Sequence, residues 1–85
     1  MKRTELKQFA SVLANQVKEK PFEYWAGQDY PITWDQEHEG CIVQVEIERL
    51  ELTDAFIHLT VAVDDGTWPS AFVPTSADTI IKRTP

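Results

Sequence analysis

From residue 5 to residue 19 the apolar positions recur at helical spacing. Stepping 100° per residue places Phe9, Leu13, Leu6, Val17 and Ala10 on one stripe about 100° wide, the width of a helix lying on a core. Only Val12 falls off it. Thr4 is suited to cap the start, because its hydroxyl can accept from a first-turn N–H, and Glu5 suits the positive helix end. Lys18 and Lys20 suit the negative end, and Pro21 stops the helix.

Residues 21–40 carry no clean period but are rich in rings: Phe22, Tyr24, Trp25, Tyr30 and Trp34. Pro21 predicts a single turn ending near Gly27, and Asp29-Tyr30-Pro31 predicts a turn into a short strand from Ile32 to Trp34. The polar run from Asp35 to Gly40 then reads as a hairpin loop. These aromatics are expected to close an open end of the core.

From Cys41 the period changes to two. Cys41, Val43, Val45 and Ile47 alternate with Ile42, Gln44, Glu46 and Glu48, predicting a half-buried strand with an acidic outer face. The phase flips near Glu48-Arg49, since Leu50 and Leu52 become the apolar set. One extra residue exchanges the faces of a strand, so a bulge is predicted there. After a turn at Thr53-Asp54, Ile57, Leu59, Val61 and Val63 alternate with Phe56, His58, Thr60 and Ala62. That segment is nearly apolar on both faces, which predicts a central strand. Asp64-Asp65-Gly66-Thr67 is a turn signal. A third strand from Trp68 to Val73, with Pro69 and Pro74 suiting an edge, and a short last strand from Thr79 to Lys82 complete the reading.

The predicted fold class is therefore α+β, with one N-terminal helix packed on a three- to four-stranded antiparallel β-meander in two layers. Eighty-five residues make one domain, spanning residues 1–85. An N-terminal helix wrapped by a meander resembles the architecture of many small bacterial proteins, and that likeness carries no function. The apolar runs are far shorter than the roughly 20 residues of a membrane helix. Polar residues interrupt the stretch after Lys2 and Arg3, so no signal-peptide core is read. A cytoplasmic protein is expected, with its single cysteine, Cys41, a reduced thiol.

Charge changes the picture most. The net charge is −6, but it is distributed unevenly. Residues 1–20 carry +3, residues 21–81 carry −11 with Arg49 as their one basic residue, and residues 82–85 carry +2. A central region of that sign repels nucleic acid and anionic membrane and attracts basic proteins, chiefly by speeding encounter. Acidic outer faces also keep strand edges from pairing, so the same residues serve solubility.

Candidate chemistry is sparse. Asp35-Gln36-Glu37-His38-Glu39 gathers carboxylates and an imidazole, but its spacing fits neither a calcium loop nor a zinc-binding helix. No metal or cofactor is expected. Cys41 with His38 or His58 forms no triad that sequence can specify, and no nucleophile elbow or glycine-rich phosphate loop is present, so no catalytic residue is assigned. Arg3, Lys7 and Lys18 flank the helix stripe as a weak basic patch. The leading expectation is a non-enzymatic protein-binding domain, of the kind an immunity protein or inhibitor represents, docking a basic partner such as a toxin. Its contact residues would be Asp35, Glu37, Glu39, Glu46, Glu48, Asp64 and Asp65, with Trp34 and Trp68 as anchors. A small-ligand or carbohydrate site lined by Tyr24, Trp25 and Trp34 is the alternative, favoured by a concave pocket holding those rings. A structural module is the third reading, so the domain is expected as a monomer or a homodimer.

Overall fold

The computed structural model describes residues 2–66 and 75–84. It contains two helices, α1 (Arg3–Val17) and α2 (Phe22–Ala26), and four strands, β1 (Ile32–His38), β2 (Cys41–Leu52), β3 (Phe56–Asp64) and β4 (Thr75–Lys82). The strands form one antiparallel sheet in the order β1-β2-β3-β4. This is the predicted α+β arrangement of an N-terminal helix on a meander, with α2 as an added turn.

The helical stripe buries as its spacing requires: Leu6, Phe9, Ala10, Leu13 and Val17 all enter the core, whereas Val12 is 47% exposed. The helix begins earlier than its capping signal implied. Lys2 precedes it in extended conformation and makes no side-chain cap, so Thr4 lies inside the first turn. The other end is closed by a side chain from outside the helix. Trp25 Nε1 donates to the Val17 carbonyl at 2.8 Å, satisfying one of the acceptors that a helix C-terminus leaves open. Burial of Trp25 and Phe22 against the core explains why the five-residue α2 persists, since so short a helix has little stability of its own.

The predicted hairpin loop before Cys41 is instead strand. β1 runs to His38, and Glu39 and Gly40 alone make the turn. Their φ angles of 50° and 81° give the pattern of a type I′ hairpin, whose twist matches that of the flanking strands. Gly66 also takes a positive φ, 79°, and its N–H donates to Asp64 Oδ1 at 2.7 Å, in keeping with the turn signal there. Between β2 and β3, Thr53 Oγ1 accepts from the N–H groups of Ala55 and Phe56 at 3.1 and 3.0 Å. The register between β2 and β3 shifts between Arg49 and Glu51, one residue past the predicted bulge. Leu50 and Leu52 do not enter the core there, being 54% and 42% exposed. The strand read from Trp68 to Val73 lies outside the described residues. The strand read from Thr79 is longer, beginning at Thr75.

Pleating sorts the side chains. Val43, Val45 and Ile47 of β2, Ile57, Leu59, Val61 and Val63 of β3, and Thr79 and Ile81 of β4 point to the inner face and are buried. There α1 packs on β3 and β4. Thr79 is an exception to the apolar rule, for its hydroxyl is buried with no hydrogen-bond partner among the described residues. Such an orphan costs about 1–3 kcal/mol of desolvation. Thr79→Val keeps the shape and removes the polar atom. It is expected to stabilise the domain by about 1 kcal/mol, seen as a higher urea midpoint with an unchanged slope. A lower midpoint would show that the hydroxyl has a partner.

Candidate functional site

Among the described residues no helix lies on the outer face of the sheet. Register places Asp35 and Glu37 of β1, Glu46, Glu48 and Glu51 of β2, Asp64 of β3 and Asp78 of β4 on that face. The basic or potentially basic side chains among the strand residues on the same face are His58 and Lys82. His58 Nε2 lies 3.2 Å from Asp78 Oδ2, so the imidazole is partnered within the face. Acidic residues thus cross the sheet in rows: Glu48 opposite Thr60, which is opposite Asp78, and Asp35 opposite Gln44, which is opposite Asp64.

At the centre of this face, Glu46 holds its proton above the ordinary carboxyl value of 4.5. Partial burial is the larger cause, followed by a hydrogen bond and charge repulsion from Glu48, two residues along on the same face. The sign follows from linkage. A carboxyl raised in the folded state penalises folding when ionised, so its penalty is present at neutral pH and is relieved as pH falls through the raised value. Lowering pH from about 7 to about 5 is therefore expected to stabilise the wild type more than Glu46→Gln, which has no proton to bind. Urea midpoints of both proteins at the two pH values test this, and equal pH responses would contradict it.

One end of the same face is apolar. Phe56 is half-buried, Ile80 is 51% exposed, and with Ala55 and the Lys82 stem they border an open recess of about 300 Å³. An acidic band beside an exposed apolar end has the two components of a protein interface, charge for encounter and an apolar contact for adhesion.

The residues singled out from sequence divide. Asp35, Glu37, Glu46, Glu48 and Asp64 share the outer face. Glu39 occupies the β1–β2 turn and Asp65 follows β3. Trp34 stands apart: it pairs with Val45, so pleating turns it to the inner, helix-bearing side. Trp68 lies outside the described residues. Sequence reasoning missed Glu51, Asp78, Phe56 and Ile80. A signal existed for the last three, since each occupies the even-numbered positions that alternate with Ile57, Leu59, Thr79 and Ile81.

The acidic-imidazole run from Asp35 to Glu39 is split by the same pleat. Asp35 and Glu37 face outward, whereas the His38 ring stacks on Phe9 with centroids 4.4 Å apart. Among the described residues no group of three or more His, Cys, Asp or Glu side chains is placed to hold a metal. Cys41 pairs across the strands with His38 and is half-buried beside it.

On the inner side, a cleft opens between α1, α2 and the β1 half of the sheet. Trp34, Tyr24 and Trp25 line it together with apolar residues of α1, β2 and β3, around a volume of about 210 Å³. The three rings named by the alternative reading thus do meet in one concave space.

Compared with known proteins, the chain matches no family model, no curated protein and no solved structure. No helix among the described residues is long and apolar enough to cross a membrane.

Proposed function

We propose that the domain is a non-enzymatic binding module whose outer sheet face docks a basic protein, in the manner of an immunity protein or inhibitor that neutralises a toxin. The observation that supports this reading is the outer face itself: seven carboxylates from four strands lie on one surface that no helix among the described residues covers, beside an apolar end at Phe56 and Ile80. Solubility alone needs charges spread over a surface. Half-burying Glu46 beside Glu48, so that its carboxyl is held above its ordinary value, costs stability, and a cost of that kind is common at surfaces kept for binding.

The occupant is a basic protein on grounds of charge complementarity. A second copy of the chain would set the same carboxylates against themselves, which is repulsive. Nucleic acid and anionic membrane are repelled for the same reason. The reading has the domain acting in the reducing cytosol, which suits its single free cysteine. Trp34 does not belong to this surface, so the anchoring role passes to Phe56 and Ile80. Charge reversal at Glu46 and Glu48 tests the proposal. Association with the partner slows and loses its salt dependence, whereas unchanged association contradicts the reading.

A further inference from the structure

We infer that the cleft on the helix side of the sheet is a second, independent site, shaped for a small aromatic carboxylate of one or two rings. Trp34 of edge strand β1, 36% exposed, forms one wall. Tyr24 and Trp25 of α2 form another and meet edge to face, with centroids 4.9 Å apart and planes at 88°. Leu13 and Val17 of α1 close the third side over a floor of Ile47 and Val61. Apolar cavities of about 150 Å³ admit benzene, so about 210 Å³ suits one ring or two fused rings.

The cleft stays open because its walls are tied from behind. Trp25 Nε1 donates to Val17 O, and the Tyr30 hydroxyl donates to Trp25 O at 2.6 Å. Trp34 Nε1 donates to Gln36 Oε1 at 3.1 Å. These bonds fix the rings and also consume both indole donors. A carbohydrate, whose hydroxyls each need a partner, therefore finds few: among the described residues Gln16, Lys20 and the Tyr24 hydroxyl are the polar side-chain groups lining the cleft, apart from those indoles. The exposed Trp34 ring favours an apolar, planar guest.

Charge decides the rest. Lys20 is the only charged residue among the described residues of the lining, with Nζ 5.3 Å from the centre of the Tyr24 ring. No carboxylate among the described residues lines the cleft, so an aromatic cage for a cation is disfavoured. A ring seated between Trp34 and Tyr24 would bring a carboxylate substituent to the Lys20 ammonium at the rim. Because this side of the sheet is opposite the acidic face, the site stands or falls separately from the docking surface.

The test titrates the full chain with naphthoate, the matching naphthylmethanol and naphthylmethylamine, and glucose, following the tryptophan indole N–H resonances. Naphthoate is expected to shift the Trp25 and Trp34 signals with a Kd of about 0.1–1 mM. The neutral alcohol should bind roughly three- to fivefold more weakly, the worth of one exposed charge contact, and the amine more weakly still. Lys20→Gln removes the preference for the acid over the alcohol. Trp34→Ala weakens both about tenfold. Both residues are exposed, so circular dichroism should show the fold retained in each variant. The inference is overturned if naphthoate gives no shift at about 10 mM. It is equally overturned if the amine binds as tightly, if Lys20→Gln leaves the preference intact, or if glucose moves the same signals.

Discussion

Leu59→Ala is expected to destabilise the domain by about 3–4 kcal/mol, the largest effect of any single truncation considered. Leu59 is fully buried on the inner face of the central strand β3, between Arg49 of β2 and Thr79 of β4, on the side where α1 packs. Removing its branched end forfeits the transfer energy of the lost carbons and leaves a cavity that a rigid sheet cannot close. Domains of this length hold about 4–13 kcal/mol in total, so one substitution removes roughly a quarter or more of the stability. Leu50→Ala supplies the contrast. Leu50 sits at the bulge, 54% exposed, and its truncation is expected to cost under about 1 kcal/mol. Urea unfolding of the two variants compares them directly. Equal losses would mean that the register, and with it the division into inner and outer faces, is not the one described.

That division carries the second large effect. Exchanging Glu46 and Glu48 for lysine moves the net charge from −6 to −2, each reversal changing it by two. The change falls at the middle of the acidic face rather than being spread over the surface. Electrostatic steering raises association rates by about 10- to 1,000-fold at low salt. Reversing two central charges is accordingly expected to slow association with a basic partner by about 10- to 100-fold, with little change in dissociation. The gap should narrow at high salt, because the Debye length falls to about 3 Å at 1 M. Stability should not suffer, since the substitution removes a carboxyl whose ionisation is opposed first by burial and then by Glu48.

The faces were legible in the chain wherever a single period ran long enough. The 3.6-residue stripe from Leu6 to Val17 and the two-residue alternation from Val43 to Ile47 and from Ile57 to Val63 each mark a buried side without ambiguity. The flip after Ile47 identified the bulge to within a residue because a two-residue period leaves no other local way to exchange faces. The start of α1 was misjudged because capping is a local preference, and packing of Leu6 and Phe9 draws the helix start back to Arg3, ahead of Thr4.

β1 was read short for a different reason. Its polar half, Asp35 to His38, has no hydrophobic alternation, since Gln36 and His38 occupy the inward positions at a sheet edge where burial is partial. The turn that ends it depends on Glu39 adopting a positive φ, which a glutamate rarely does and no propensity foretells. That one misreading also put Trp34 at a loop mouth beside the acidic residues. Once β1 extends to His38, pleating alone sends Trp34 to the helix side and Asp35 and Glu37 to the open side. The acidic face was therefore visible as a charge excess along the chain, while its membership became definite only with the register of β1 and β4.

Affinity capture from the source organism's lysate, with the wild type and the Glu46→Lys/Glu48→Lys variant run in parallel at low and high salt, tests the central claim most directly. The account predicts a discrete basic protein held by the wild type, lost from the charge-reversed bait, released from the wild type by salt, and still held by Trp34→Ala. A partner retained equally by wild type and charge-reversed bait, or one that Trp34→Ala alone releases, would contradict it.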